Sequence, residues 1–194
     1  MQKLKLKGTL LACSLALSGA TFAAPSGAML GNTCAGCHGT NGNSVGPASP
    51  TIAGMDTEVF IDAMTTYKDD SRPSTIMGRL AKGYSEDEIA AMAEYFAGQK
   101  FQPADQPFDP ALADKGGKVH ERYCEKCHED GGRSAEDGGI LAGQWTPYMV
   151  YAMEDFMSGA REMPKKMKRQ VEKMQKRAGK GAAEQLLHFY ASQK

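Results

Sequence analysis

Two short segments of this chain hold residue types that can do chemistry: Cys34-Ala35-Gly36-Cys37-His38 and Cys124-Glu125-Lys126-Cys127-His128. Cys-x-x-Cys-His is the attachment pattern of c-type haem. Each thiol adds to a porphyrin vinyl group to form a thioether, and two intervening residues match the vinyl spacing on a short helical turn. The adjacent histidine then lies under the iron and supplies a nitrogen ligand. A structural zinc site would draw four ligands to one point. Here each pair ends in its own histidine, and the pairs stand 90 residues apart. A thioredoxin-like dithiol would need a strand-helix setting, which neither segment offers. The pattern therefore predicts two covalent haems c, at Cys34/Cys37 and Cys124/Cys127, with His38 and His128 on the irons.

The motifs sit inside an internal repeat. Cys34, Cys37 and His38 recur at +90; Ile52-Ala53-Gly54 recurs at +89 as Leu141-Ala142-Gly143; Met64 and Arg72 recur at +89 as Met153 and Arg161. Tyr95-Phe96-Ala97-Gly98-Gln99-Lys100 returns at +94 as Phe189-Tyr190-Ala191-Ser192-Gln193-Lys194. The expected organisation is a first unit over 24–100, a linker over 101–108 that two prolines keep extended, and a second unit over 109–194. Each unit reads as helical: a short helix at the haem motif, a Gly/Pro-rich loop, a middle helix (57–67 and 147–158) and a last helix. The last helix of the first unit starts near Ser85, where Ser85-Glu86-Asp87-Glu88 forms a capping box before Ile89, Met92, Ala93 and Phe96. Its counterpart is expected over 181–192. Units of this size have marginal cores, which a buried haem would enlarge.

The repeat also narrows the choice of sixth iron ligand among twelve methionines. Met77 follows His38 by 39 residues, and Met167 follows His128 by 39. Met163 is the rival in the second unit, and its offset from Met77 is 86. Met55, Met64, Met153 and Met174 read as core, since methionine fills irregular gaps. His/Met ligation saturates an iron and raises its potential, which suits electron transfer rather than oxygen or peroxide chemistry. His120 and His188 read as packing or surface residues.

The motifs and their surroundings resemble class I cytochromes c joined as a covalent pair. More narrowly, the chain resembles the dihaem cytochrome subunits of flavocytochrome c sulfide dehydrogenases. The resemblance rests on residues 32–40, 44–50 and 74–79, on Tyr123-Cys124-Glu125-Lys126-Cys127-His128, on Leu141-Ala142-Gly143-Gln144-Trp145-Thr146-Pro147-Tyr148 and on Phe189-Tyr190-Ala191-Ser192-Gln193. It implies an all-α fold of two tandem cytochrome c-like domains. It also implies a separate flavoprotein partner that carries FAD and oxidises sulfide, and a soluble cytochrome c as acceptor. This chain has no glycine-rich dinucleotide turn of its own. Family members often place a proline after the haem motif whose carbonyl receives the histidine N–H. Gly46-Pro47 stands there in the first unit, whereas the second has Gly138-Gly139, leaving the partner of His128 open. The resemblance also brings Trp145 and Tyr148 forward, as either haem-propionate partners or packing residues, and the repeat brings forward Arg72 and Arg161 as residues that could neutralise propionates.

Residues 1–23 read as a secretory leader: Lys3, Lys5 and Lys7, an apolar run over 10–22, and small residues suited to cleavage after Ala23. The run is too short to span a membrane. Leu10-Leu11-Ala12-Cys13 resembles a lipid-attachment site but has almost no apolar segment ahead of it. Export predicts a periplasmic protein. Residues 24–194 carry 20 basic and 23 acidic groups, a net charge of −3. Nine basic residues nevertheless fall within 161–180, against Glu162 and Glu172. Such a stretch reads as a solvated helix face or as a surface that steers an acidic partner; nucleic-acid binding does not suit an exported, slightly acidic haem protein. The leading function is therefore an electron-transfer subunit docked on a sulfide-oxidising flavoprotein. The alternative is a free-standing periplasmic carrier to a terminal oxidase. A haem enzyme such as a peroxidase would need an open or displaceable ligand position.

Overall fold

The computed structural model describes residues 24–134 and 138–194. The expected leader, with Cys13, lies outside the described residues. Among those residues the regular structure is helical, with no β-strand. In chain order the helices are α1 (Gly27–Asn32), α2 (Ala35–His38), α3 (Thr57–Lys68), α4 (Met77–Ala81), α5 (Glu86–Ala97), α6 (Pro110–Tyr123), α7 (Glu129–Gly132), α8 (Thr146–Ser158), α9 (Lys165–Ala178) and α10 (Ala182–Ser192).

Local sequence explains the main boundaries. Asp56 caps α3 by accepting from the N–H groups of Glu58 and Val59, and Asp109 does the same for α6 with Ala111 and Leu112 ahead of Pro110. The capping box at Ser85 is present in full: its hydroxyl accepts from Glu88 N–H while the Glu88 carboxylate accepts from Ser85 N–H.

The first core gathers Leu30, Phe60, Met64, Ile89, Met92 and Phe96, with Ile52, Ala81 and Ala93. The second gathers Val119, Met149, Leu186 and Tyr190, with Met174 and Ala182. Leu30 and Val119, Phe60 and Met149, Met92 and Leu186, and Phe96 and Tyr190 stand at the repeat offsets, so the two cores are built from equivalent positions. In both halves the last helix crosses the helix that leads into the haem motif. The crossing is close because of Gly27 and Gly116: a Cβ at the first would collide with the Ala91 carbonyl oxygen, and one at the second with that of Gln185.

The recurring Ile/Leu-Ala-Gly block is a backbone clamp. Ile52 and Ala53 donate to the Gly42 carbonyl (2.8 and 3.1 Å), and Gly54 to that of Phe96 (2.8 Å). In the second half Leu141 and Ala142 donate to Gly132 (2.8 and 3.0 Å), and Gly143 to Tyr190 (2.8 Å). Gly54 and Gly143 hold φ near +70° (68° and 71°), where a side chain would be strained.

Residues 101–109 form no helix, but they are far from a loose tether. Ala104 donates to the Gly143 carbonyl (2.7 Å), and buried Gln106 donates to that of Gln144 (2.7 Å) while accepting from Thr146 N–H and hydroxyl (both 3.0 Å). Buried Gln144 then reaches across to the first half. Its amide oxygen accepts from Thr51 N–H (2.9 Å), and its amide nitrogen donates to the Thr51 carbonyl (2.8 Å). Replacing Gln144 with Leu leaves both backbone groups of Thr51 unsatisfied in a buried place, at a cost of about 2–4 kcal/mol. Urea unfolding of the holo-protein should show that loss; an unchanged midpoint would mean the halves do not depend on this bridge.

Candidate functional site

Both Cys-x-x-Cys-His segments wind into the same turn. Cys37 and His38 donate to the Cys34 carbonyl (3.2 and 2.9 Å), and Cys127 and His128 to that of Cys124 (3.1 and 3.0 Å). The first turn runs into α2, whereas the second follows directly on the end of α6. The first cysteine of each pair is half-buried and the second exposed, and none of the four is in a disulfide. Burial raises the pKa of Cys34 and pushes that of Cys124 up to about 11.

The His38 ring is buried, with Nδ1 2.8 Å from the Pro50 carbonyl oxygen. A carbonyl can only accept, so Nδ1 carries the proton and Nε2 keeps a bare lone pair. Burial also lowers the pKa of the ring, favouring the neutral imidazole that binds a metal. A proline carbonyl does receive the histidine N–H, but it belongs to Pro50 and not to Pro47. The loop is folded so by Ser44, whose hydroxyl donates to the Ser49 carbonyl (2.7 Å) and whose N–H donates to Thr51 Oγ1 (3.2 Å). In the second half Gly138 packs on the His128 ring, and a Cβ there would come within 2.8 Å of Cε1.

Met77 opens α4 and packs, with Cys34, against the first core. Met167 lies in the first turn of α9, half-buried, and the methionine in the second core is Met174. Met163 is also half-buried, two residues before α9. An equivalent turn precedes each segment: Arg72 N–H donates to Thr66 (2.9 Å) and Arg161 N–H to Asp155 (3.0 Å). Counted from those arginines, Met77 stands at +5, Met167 at +6 and Met163 at +2. The other methionines read as core behave accordingly: Met64 is buried, Met55 packs on the first core, and Met153 is half-buried.

The two arginines lie close enough for the charge of one to act on the other. Arg72 lies over the Tyr67 ring (4.5 Å) and donates to the Tyr148 hydroxyl (3.4 Å); Arg161 lies over Phe156 (4.2 Å). Burial, then the nearby charge of Arg72, lowers the pKa of Arg161. Neither pairs with a carboxylate among the described residues. Half-buried guanidiniums that form no close ion pair among the described residues suit the carboxylates of a propionate-bearing porphyrin. Trp145 is committed elsewhere, since its indole N–H donates to the Ser44 carbonyl of the other half (3.1 Å) and its ring packs on Gly46. Paired thiols, a neutral imidazole with Nε2 as its lone-pair nitrogen, and half-buried arginines without a close ion pair among the described residues together fit haem.

The family model for cytochrome c matches residues 26–100. Over 164 residues the chain is 32% identical to cytochrome c4 of Pseudomonas aeruginosa, covering 78% of this chain and 81% of that protein. The chain belongs to the class I cytochromes c. Haem c is accordingly its cofactor and electron transfer its function. It is also 50% identical over 70 residues to the cytochrome subunit of sulfide dehydrogenase from Chlorobaculum tepidum, a match covering 36% of this chain and 63% of that subunit. Reduced recombinant cytochrome c4 from Pseudomonas stutzeri superimposes with a TM-score of 0.72 at 25% identity, over 89% of this chain and 100% of that one.

Sequence reasoning undervalued His120 in this cytochrome. It is 2% exposed, with Nε2 2.6 Å from Glu125 and Nδ1 2.9 Å from the Tyr190 hydroxyl. Glu125, inside the second haem motif, also accepts from the N–H groups of Asp130 and Gly131 (3.0 and 3.2 Å). Slight desolvation raises the pKa of Glu125, but its hydrogen bonds outweigh this and hold the carboxylate below its usual range. His120 thus ties the last helix to the haem turn. The repeat offset of +89 held the signal: it aligns His120 with Gly31, where a Cβ would strike the Tyr95 ring. In the second half the imidazole itself meets the rings of Phe189 and Tyr190 (centroids 5.2 and 5.5 Å). His188 has a smaller role, with Nδ1 accepting from Asp109 N–H (2.9 Å). Replacing His120 with Phe keeps the ring contacts but removes both polar ones, for an expected loss of about 2 kcal/mol. Thermal unfolding of the holo-protein checks this against Tyr190→Phe, which should cost about half as much.

Proposed function

We propose that residues 24–100 and 109–194 each hold one covalent haem c, and that the chain passes electrons from a sulfide-oxidising flavoprotein to a soluble cytochrome c. Cys34 and Cys37 would attach the first haem and Cys124 and Cys127 the second, with His38 and Met77 on one iron and His128 and Met167 on the other. Bound haem supplies a reversible one-electron couple. The Pro50 carbonyl fixes the His38 tautomer and strengthens its Nε2 as a donor. Arg72 and Arg161 would neutralise propionates where the halves meet. The observation that carries the reading is the repeated turn at both motifs, one of them backed by a buried, correctly protonated imidazole.

The flavoprotein partner, and with it FAD, is supported by the 50% identity to a sulfide dehydrogenase cytochrome subunit. Export to the periplasm rests on the leader-like residues 1–23. Among the described residues no helix is long and apolar enough to cross a membrane. A second reading, a free-standing carrier to a terminal oxidase, has its own support: the longer alignment is with a cytochrome c4.

Isolation from the native periplasm at low salt separates the two. The first reading predicts an equimolar flavin-bearing chain and haems that reduce on addition of sulfide. Haem protein alone, inert to sulfide yet reducible by other donors, would favour the free carrier.

A further inference from the structure

The start of helix α9 runs against the rules of helix electrostatics, and no ion pair among the described residues relieves it. Its first turn carries Lys165, Lys166 and Lys168 but no acidic residue, and no side chain caps it. Cations there oppose the helix dipole. Lys165 and Arg169, Arg169 and Lys173, and Lys173 and Arg177 are like-charge pairs four residues apart, each unfavourable. None of the seven basic side chains of α9 pairs with a carboxylate among the described residues, and all seven are exposed. The helix holds a net charge of +6, whereas the rest of residues 24–194 sums to −9 for a total of −3.

This concentration belongs to the second half alone. The first-half segment at the same offset, α4, has five residues and one basic group, Arg79. The apolar side of α9 faces inward: Met167, Gln170 and Val171 are half-buried and Met174 is buried in the second core. No apolar face is left to enter a bilayer, as an interfacial helix requires. Lys165, Lys168, Arg169 and Glu172 line a shallow surface depression instead.

We propose that the outer face of α9 docks an acidic electron-transfer protein, so that this partner exchanges electrons through the second half. The inference rests on the carrier reading above, because Met167 occupies the opposite face of the same turn. A local destabilisation kept on one copy of a repeat marks a functional surface, and an anionic partner offsets the repulsion among the basic side chains of α9, which form no ion pair among the described residues.

The test uses the full holo-protein and a reduced, strongly acidic flavodoxin as probe, with stopped-flow haem reduction as readout. Lys168→Gln/Arg169→Gln is compared with Lys115→Gln/Lys118→Gln, two exposed lysines of α6. Wild-type rates should fall steeply with added salt. The α9 variant should be slower by roughly five- to tenfold at low salt, the α6 variant by less than about twofold, and the three should converge at high salt. The α9 variant should unfold at the same temperature as wild type or higher, which excludes misfolding as the cause.

A salt-independent wild-type rate, or equal effects of the two variants, overturns the docking surface but leaves the carrier reading standing. Failure of flavodoxin to reduce the wild-type haems at any salt, while dithionite reduces them, would overturn the docking surface alone; haems that dithionite also leaves oxidised would overturn the carrier reading. Binding to vesicles rich in phosphatidylglycerol that only the α9 variant loses, with flavodoxin rates unchanged, would assign the face to lipid and overturn the proposal.

Discussion

The architecture depends on how closely two helices can cross. In each half the helix leading into the Cys-x-x-Cys-His turn lies against the last helix, and the contact is backbone to backbone because Gly27 and Gly116 lack a Cβ. That crossing fixes the direction from which the chain enters the haem turn. The Ile/Leu-Ala-Gly clamp ties the far side of the loop to a carbonyl of the last helix. Thiols and histidine are therefore held by main-chain geometry, while side chains at the same positions are free to differ. Gly31 and His120 show this freedom: one admits the Tyr95 ring, and the other supplies a ring with two polar partners.

The halves are also mechanically joined. Gln144 holds both backbone groups of Thr51, and the neighbouring Pro50 carbonyl holds the His38 ring. A side chain of the second half thus holds the N–H of the same peptide group whose carbonyl orients the His38 ring of the first. Trp145 adds a further tie at Ser44, and Arg72 reaches Tyr148. These bonds make the relative placement of the halves a structural property rather than a matter of linker length.

The haem motifs, the repeat, the capping box and the helical class were legible because each is local or recurs at a fixed offset. The expected helices over 57–67 and 147–158 run to Thr57–Lys68 and Thr146–Ser158, differing only at the ends. What escaped depends on partners distant in sequence. Neither Gln144 with Thr51 nor Trp145 with Ser44 has a periodicity to announce it. The acceptor for His38 is Pro50 rather than Pro47 because the path of the loop is set by bonds such as Ser44 to the Ser49 carbonyl, which no local pattern announces. His120 looked like a packing or surface residue because its two polar partners lie 5 and 70 positions away, although comparison with Gly31 would have exposed it. The docked course of residues 101–109 was hidden for the same reason, since prolines announce an extended chain and not where it binds.

The central claim is that each half carries its own covalent haem. Intact mass measurement of the exported holo-protein under denaturing conditions tests it most directly, because thioether-linked haem stays with the unfolded chain and any other haem is lost. The account predicts the mass of the chain from residue 24 onward plus two haems, with Cys124→Ser/Cys127→Ser retaining one. A single haem in the unaltered protein, or none, would contradict it.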